Sequence, residues 1–331
     1  MSKFDRETKR NQFFTARDGE LDALIDKKTG KIKKRLVEQI NCPLCGNPKY
    51  KLVFVKNGFD FVRCDKCALV YVNPRMKEKE ITKFYDSKAD SNTRALDFLS
   101  SPLQQKIDKE LYIELFNKIK KRVPSGKVLD IGCSFGNFLK VAKDRGYEEL
   151  GLELNNMAAE YGRKKLGVNI EAKLLEDCNF PDNSFDIVSM FGVIEHLFEP
   201  VKIVKEIKRI LRPGGLFIGR CPNVYGFVYM VLHELGRTFT GRVHLTYFSE
   251  KTLKYLFKKT GFKRVELETF ITGRDSLLNY FQFLDPFGDE EYKYLPDKFR
   301  KFILDKKNFK KLENKLYELG LGMKFKFIAE K

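Results

Sequence analysis

The sequence predicts an α/β fold in which a mostly parallel sheet is wound by crossover helices, with a small zinc ribbon ahead of it. Three observations carry this. From Gly126 onward, short β-rich runs alternate with amphipathic helical patterns. An apolar run, Val128 to Ile131, leads straight into a glycine-bearing turn, Gly132 to Gly136. Upstream, four cysteines stand as two C-x-x-C pairs.

Residues 1–40 are polar and Lys-rich, with isolated apolar groups at Phe13, Leu21 and Leu36, and read as a basic arm, mobile or loosely helical. Residues 41–75 hold the cysteine module. Residues 76–122 place Leu103, Ile107, Leu111, Leu115 and Ile119 at helical spacing and read as a linker or cap. Residues 123–331 make up the α/β domain, with aromatic-rich insertions at 224–247 and 275–319. Strands are predicted at residues 127–131, 149–154, 185–190, 216–221 and 264–270, with 323–329 closing the sheet; helices fall at 135–144, 157–166, 201–211 and 250–260. Phe299, Ile303, Phe309, Leu312, Leu316 and Leu319 lie near one helical stripe opposite Lys, a face suited to the body of the protein or to peripheral membrane contact.

With 331 residues and 43% hydrophobic content, the chain can bury a substantial core. No apolar run is long enough to span a bilayer, and no secretory-type stretch follows Met1 to Arg10, so the expected location is cytoplasmic. Sixty-three Lys and Arg against 45 Asp and Glu give a formal charge of +18. That favours phosphate-bearing partners such as nucleic acid, anionic lipid or a nucleotide-linked sugar. Lys scattered over solvated helix faces gives the same excess without a polyanion.

Cys42 and Cys45 form one pair and Cys64 and Cys67 the other, with 18 residues between them, a spacing suited to a four-thiolate zinc site. Each pair grips one edge of a tetrahedron from a tight turn, which Pro43 and Gly46 favour in the first pair. Four sulfur ligands leave no open position, so the zinc is expected to be structural. A redox use of the pairs lacks thioredoxin-like surroundings. Cys133, Cys178 and Cys221 lie singly in apolar surroundings, as reduced core thiols do.

The turn from Gly132 to Gly136 lets backbone approach a ligand at the carboxyl end of the sheet. About 20 residues on, Glu153 ends the next strand, where a carboxylate can accept both hydroxyls of a ribose. From about Lys127 to Phe270 the chain resembles the class I S-adenosylmethionine (SAM) dependent methyltransferases. The resemblance rests on Asp130-x-Gly132, Glu153, the run Phe180-Pro181-Asp182-Asn183-Ser184-Phe185-Asp186 and the turn Leu211-Arg212-Pro213-Gly214-Gly215. The pairing of Asp130-Ile131-Gly132 with Pro213-Gly214-Gly215 points away from an NAD-dependent dehydrogenase.

That resemblance implies a Rossmann-like seven-stranded sheet with an antiparallel last strand, and SAM as cofactor. It places Asp130, Gly132, Cys133, Ser134 and Gly136 around the methionine end, Glu153 and Leu154 at the ribose, Leu175 and Glu176 at adenine, and Met190 and Phe191 along the fourth strand. Ser134 stands where many members have a third glycine, and Leu174 where many have Asp.

The run from Gly192 through Glu195-His196 to Pro200 is similar to a segment of ubiquinone-biosynthesis methyltransferases and of many that act on glycans. The ubiquinone type has a further metal-holding carboxylate where this chain has Gly192. Pro222-Asn223 and the run His244 to Ser249 resemble the same group, and the stretch from Cys42 through Asn73-Pro74-Arg75 to Phe84-Tyr85 resembles its zinc-ribbon extension. The resemblance implies His244, His196 and Glu195 on the acceptor side, where an in-line displacement needs alignment and proton removal. His196 reads equally as a helix-capping or core residue, and the aromatics of 224–247 as a lid or as core.

The leading expectation is methylation of a small-molecule or glycan acceptor, a sugar hydroxyl on a nucleotide- or lipid-linked intermediate. The rival is an RNA methyltransferase gripping nucleic acid with the zinc module and basic surface, which predicts binding that falls steeply with salt. A third reading is a non-catalytic domain that binds SAM as a sensor; the intact Asp130, Gly132, Gly136 and Glu153 argue against lost cofactor binding and do not bear on turnover.

Overall fold

The computed structural model describes residues 7–86, 89–271 and 296–331. Helix α1 (Arg10–Asp22) precedes strand β1 (Val37–Glu38), the hairpin of β2 (Tyr50–Lys56) and β3 (Phe59–Cys64), then β4 (Val70–Val72) and β5 (Arg75–Met76). Helices α2 (Glu78–Asp86), α3 (Asp90–Ser100) and α4 (Pro102–Ile119) follow. The α/β part runs β6 (Lys127–Ile131), α5 (Asn137–Lys143), β7 (Glu148–Leu152), α6 (Asn156–Tyr161), β8 (Ile170–Glu171), β9 (Phe185–Phe191), α7 (Pro200–Ile210) and β10 (Leu211–Pro222). It continues with α8 (Phe227–Leu232), β11 (Thr246–Tyr247), α9 (Glu250–Lys259), β12 (Arg264–Phe270), α10 (Asp297–Leu304), α11 (Lys306–Glu318) and β13 (Lys324–Glu330).

Seven strands form one sheet in the order β12-β13-β10-β9-β6-β7-β8. β13 is antiparallel to both neighbours, while the remaining pairs are parallel, which is the expected Rossmann-like arrangement. Its central strands are apolar on both faces: Val128, Leu129, Ile187, Val188, Leu216, Phe217 and Ile218 are all buried, as a sheet covered by helices on both sides requires. From β6 the chain winds outward to β7 and β8, then returns to β9 on the other side of β6. This reversal opens a crevice beyond the carboxyl ends of β6 and β9.

Several expectations change. The stretch expected to be a mobile or loosely helical arm holds helix α1 and packs into the body of the protein. Leu21 and Ile32 are buried in one apolar core with Phe59 and Phe61, and the Ile32 amide donates to Gly58 O at 3.1 Å. Their partners lie far along the sequence, so no local periodicity announced them. The stripe expected over 298–319 is split at Asp305, whose carboxylate accepts from the Lys307 amide at 2.8 Å and caps α11. Leu316 is buried, whereas Leu319 follows the helix and is exposed. Cys178 is only half-buried, its thiol donating to Leu174 O, unlike the buried Cys133 and Cys221. Residues 275–295 of the second expected insertion lie outside the described residues.

The cysteine module shares its sheet with the α/β part. β11 pairs antiparallel with β4, Thr246 opposite Tyr71 and Tyr247 opposite Val70, extending a sheet of order β11-β4-β3-β2. The ring of Phe61 lies 4.6 Å from Phe54, 5.8 Å from Phe239 and 5.4 Å from Tyr247, so aromatics of the 224–247 insertion form core with the module. No helix among the described residues is long and apolar enough to cross a membrane.

A core shared across sequence segments should unfold as one. Phe61→Ala is expected to cost about 3–5 kcal/mol and to lower the midpoint of a single urea transition. Two separate transitions, with only one of them shifted, would show that the module and the sheet are independent.

Candidate active site

In the turn after β6, Gly132 and Gly136 have φ of +69° and +81°. A Cβ on Gly132 would stand 2.5 Å from Val193 Cγ2, and one on Gly136 would stand 2.7 Å from Val168 Cγ2. Ser134 also adopts a left-handed φ, +50°, a backbone conformation that favours glycine. Glu153 Oε2 accepts from the Ser134 amide and Oε1 from the Asn155 amide, each at 2.8 Å. The carboxylate is thereby fixed while each oxygen keeps a further lone pair for a ribose hydroxyl.

Asp130 is buried and accepts from Ser189 Oγ at 2.7 Å. Burial pushes its carboxyl up to about 7, against the opposing effects of Ser189 and Arg220. Cys133, Leu175 and Met190 are buried, and Leu154 and Phe191 are half-buried. Glu176 is exposed and lines a separate open groove of about 990 Å³ beside Arg75, Lys202 and Arg209.

In the ribbon, Cys42 Sγ lies 3.5 Å from Cys67 Sγ and Cys45 Sγ 3.5 Å from Cys64 Sγ. All four sulfurs fall within 4.8 Å of one another. Tetrahedral zinc with bonds of about 2.3 Å needs sulfurs about 3.8 Å apart, so the four positions fit such an ion.

Two hydrogen bonds join this ribbon to the Glu-His segment. Leu245 N donates to Glu195 O at 2.8 Å, and Val72 N donates to Leu245 O at 3.0 Å. Arg75 adds a third tie, its Nη1 donating to Phe198 O at 2.8 Å. His244 is carried between them, its ring perpendicular to that of His196 at 4.7 Å.

The two histidines differ in what they can do. His244 Nδ1 lies 2.8 Å from Thr238 O; a carbonyl only accepts, so the proton sits on Nδ1 and Nε2 keeps its lone pair. Burial, His196, Arg17 and Lys324 hold its pKa well below 6.5, against the Thr238 carbonyl. His196 has its Nδ1 3.2 Å from Tyr85 Oη, and burial brings it down to about 4 against the effect of the Val243 backbone. Glu195 is buried, its carboxyl pushed up to about 7 by burial, and Oε2 has no hydrogen-bond partner. Ligand atoms of Glu195, His196 and His244 lie within 4.8 Å of one another.

A cavity of about 480 Å³ opens over these residues. Sequence reasoning missed its cations, because Arg10 and Arg17 come from α1, Arg220 from β10, and Arg237 and Arg242 from the 224–247 insertion. No local motif joins them. His233, the remaining histidine, is exposed.

Residues 103–267 match a methyltransferase domain family. The chain belongs to the class I SAM-dependent methyltransferases. It is 32% identical over 110 residues to a "Probable S-adenosylmethionine-dependent methyltransferase" of Mycolicibacterium smegmatis, covering 33% of this chain and 43% of the relative. It is 27% identical over 121 residues to a 2-methyl-6-phytyl-1,4-hydroquinone methyltransferase of Synechocystis, covering 35% and 38%. The chain thus spans less than half the length of these two curated relatives. A SAM-dependent methyltransferase structure from Archaeoglobus fulgidus superposes with a TM-score of 0.47 at 20% identity, covering 69% of this chain and 98% of that one.

Gly132→Ala should lower the affinity for S-adenosylhomocysteine at least about tenfold, because the new methyl meets Val193. Adding Val193→Ala removes that contact but leaves about 1–2 kcal/mol of left-handed backbone strain. Calorimetric titration of both variants measures this, and wild-type affinity in the single variant would refute the close approach.

Proposed function

We propose that the protein transfers a methyl group from SAM to a hydroxyl of a small-molecule or glycan acceptor, a sugar on a nucleotide- or lipid-linked intermediate, with His244 as general base. The observation that carries this is the Nδ1 contact of His244 with the Thr238 carbonyl, which leaves Nε2 unprotonated on a residue that lines the cavity. SAM bound at the turn supplies an electrophilic methyl on a sulfonium. Glu153 and the backbone from Gly132 to Gly136 orient it, and the cavity holds the acceptor hydroxyl in line. As the acceptor oxygen bonds to the methyl carbon and the carbon–sulfur bond breaks, the hydroxyl proton passes to His244 Nε2. His196, held by Tyr85, supports the base by packing, and Glu195 closes the floor. The volume suits a sugar-sized group better than a nucleic-acid duplex.

His244→Gln should lower kcat by about 10²- to 10⁴-fold with little change in affinity for S-adenosylhomocysteine. Because the His244 pKa is depressed, the neutral base persists below the ordinary histidine value, and activity should fall with decreasing pH only below 6.5. An acid limb above 6.5, or full activity in the variant, would remove His244 from this role.

The four cysteines are proposed to hold one structural zinc. Purified protein should carry about one zinc per chain. Cys64→Ser should lose the metal and lower the melting temperature. Metal-free wild-type protein of unchanged stability would exclude the structural zinc.

A further inference from the structure

We propose that Glu195 is the counter-charge for the positive charge carried through methyl transfer, facing the sulfonium of SAM before the step and the His244 imidazolium after it. The proposal rests on the methyl-transfer reading and gives a part in it to a buried carboxylate that the reading uses only as the floor of the cavity.

The place of Glu195 is the first support. It lies in the short helical turn Ile194–His196 that follows β9. Val193, just before that turn, lies against the cofactor turn, since a Cβ on Gly132 would stand 2.5 Å from its Cγ2. A Cβ on Gly192 would stand 3.8 Å from Glu195 Oε1, so the Glu195 side chain folds back toward the end of β9. Burial, then Glu153 and Glu195, hold the Tyr85 hydroxyl above its ordinary value against the effect of Arg242. The carboxylate assigned to the ribose and Glu195 therefore act on the same ring.

The state of Glu195 is the second support. It is 4% exposed, and Oε2 has no hydrogen-bond partner among the described residues. It is also the one carboxylate among the described residues lining the cavity. A buried carboxylate oxygen without a hydrogen bond is costly to ionise unless a cation comes to it. The other two carboxylates near the cofactor turn are engaged, Glu153 by the amides of Ser134 and Asn155 and Asp130 by Ser189. Burial pushes Glu195 up to about 7 against the effects of its own backbone, Lys324 and Arg220, and a cation entering the cavity favours its ionised form.

The chemistry of the step is the third. The acceptor oxygen has to lie within hydrogen-bond reach of His244 Nε2, with the methyl carbon between that oxygen and sulfur. A carboxylate oxygen of Glu195 and a ring nitrogen of His244 lie within 4.8 Å of each other. The segment that carries Glu195 thus touches the cofactor turn through Val193 and approaches the base through its carboxylate. In the transfer an oxygen lone pair bonds to the methyl carbon, the carbon–sulfur pair goes to sulfur, and the hydroxyl proton goes to Nε2. One positive charge leaves sulfur and one appears on the imidazole. A fixed negative charge near both stabilises the start and the end of that displacement where water is excluded.

The test is calorimetric titration of wild type and Glu195→Gln with SAM, S-adenosylhomocysteine and sinefungin. The first carries a sulfonium, the second a neutral thioether, and the third a protonated amine in the place of the methyl. Glu195→Gln should weaken SAM and sinefungin at least about tenfold, while S-adenosylhomocysteine keeps its affinity to within about twofold. Lost packing moves all three ligands alike, and that outcome overturns the proposal, as does unchanged affinity for SAM. If Glu195→Gln does not fold, Glu195→Asp decides, because its carboxylate is set back by one methylene. SAM and sinefungin should then lose affinity relative to S-adenosylhomocysteine, and equal changes overturn the proposal. Wild type that binds none of the three removes the methyl-transfer reading and the proposal with it; binding of all three without discrimination by the variants removes the proposal alone.

Discussion

The backbone of Leu245 holds the two halves of the acceptor side together. Its amide donates to Glu195 O and its carbonyl accepts from Val72 N, so one residue ties the Glu-His segment to the cysteine module. On either side of it stand His244, which faces His196, and Thr246, which begins the strand paired with β4. The proton-accepting role proposed for His244 needs a side chain held to within a fraction of an ångström, and sites built on strands hold better than sites on free loops. The 224–247 insertion would be such a loop without β4. The cysteines stand at the turns that fix β4, with Cys64 N donating to Leu69 O at 2.9 Å and Ala68 N to Cys64 O at 3.0 Å. The module therefore reaches the chemistry through hydrogen-bonded backbone rather than through a side chain of its own.

The electrostatics of the cavity divide into two zones. At the floor, burial disfavours charge of either sign: Glu195 is pushed up to about 7 and His196 down to about 4. At the wall stand arginines, which remain charged at any ordinary pH. A neutral floor suits a base that must begin unprotonated.

What could be read from the sequence follows from where each residue finds its partners. Strands such as Val128–Ile131 and Phe185–Met190 are buried on both faces, so their composition alone announces them. The turn was legible because Gly132 and Gly136 need a backbone that other residues resist, and Ser134 showed only in the structure as a third left-handed position. β8, with two residues, is too short for any pattern. The packing of helix α1 into the body was not legible because Leu21 packs with Phe59 and Phe61, far along the chain. The arginines were missed for the same reason: what they share is a cavity, and none of them belongs to a motif.

The origin of the cavity walls bears on how such a protein changes its acceptor. Gly132, Gly136 and Glu153 follow the ends of adjacent strands of the sheet, β6 and β7, so the cofactor turn is tied to the fold itself. Of the acceptor side, the Glu-His segment and Arg220 belong to the sheet or to its immediate strand ends. Arg10, Arg17, Tyr85, Arg237, Arg242 and His244 come instead from the cover helices and the insertion, elements laid over the carboxyl edge. Substitution there leaves the register of the seven-stranded sheet undisturbed, because none of those residues pairs in it. The sheet and the turn after β6 are thus fixed by one set of constraints and the cavity wall by another. His244 is where the two meet, since it belongs to the insertion by sequence and to the Glu-His segment by contact.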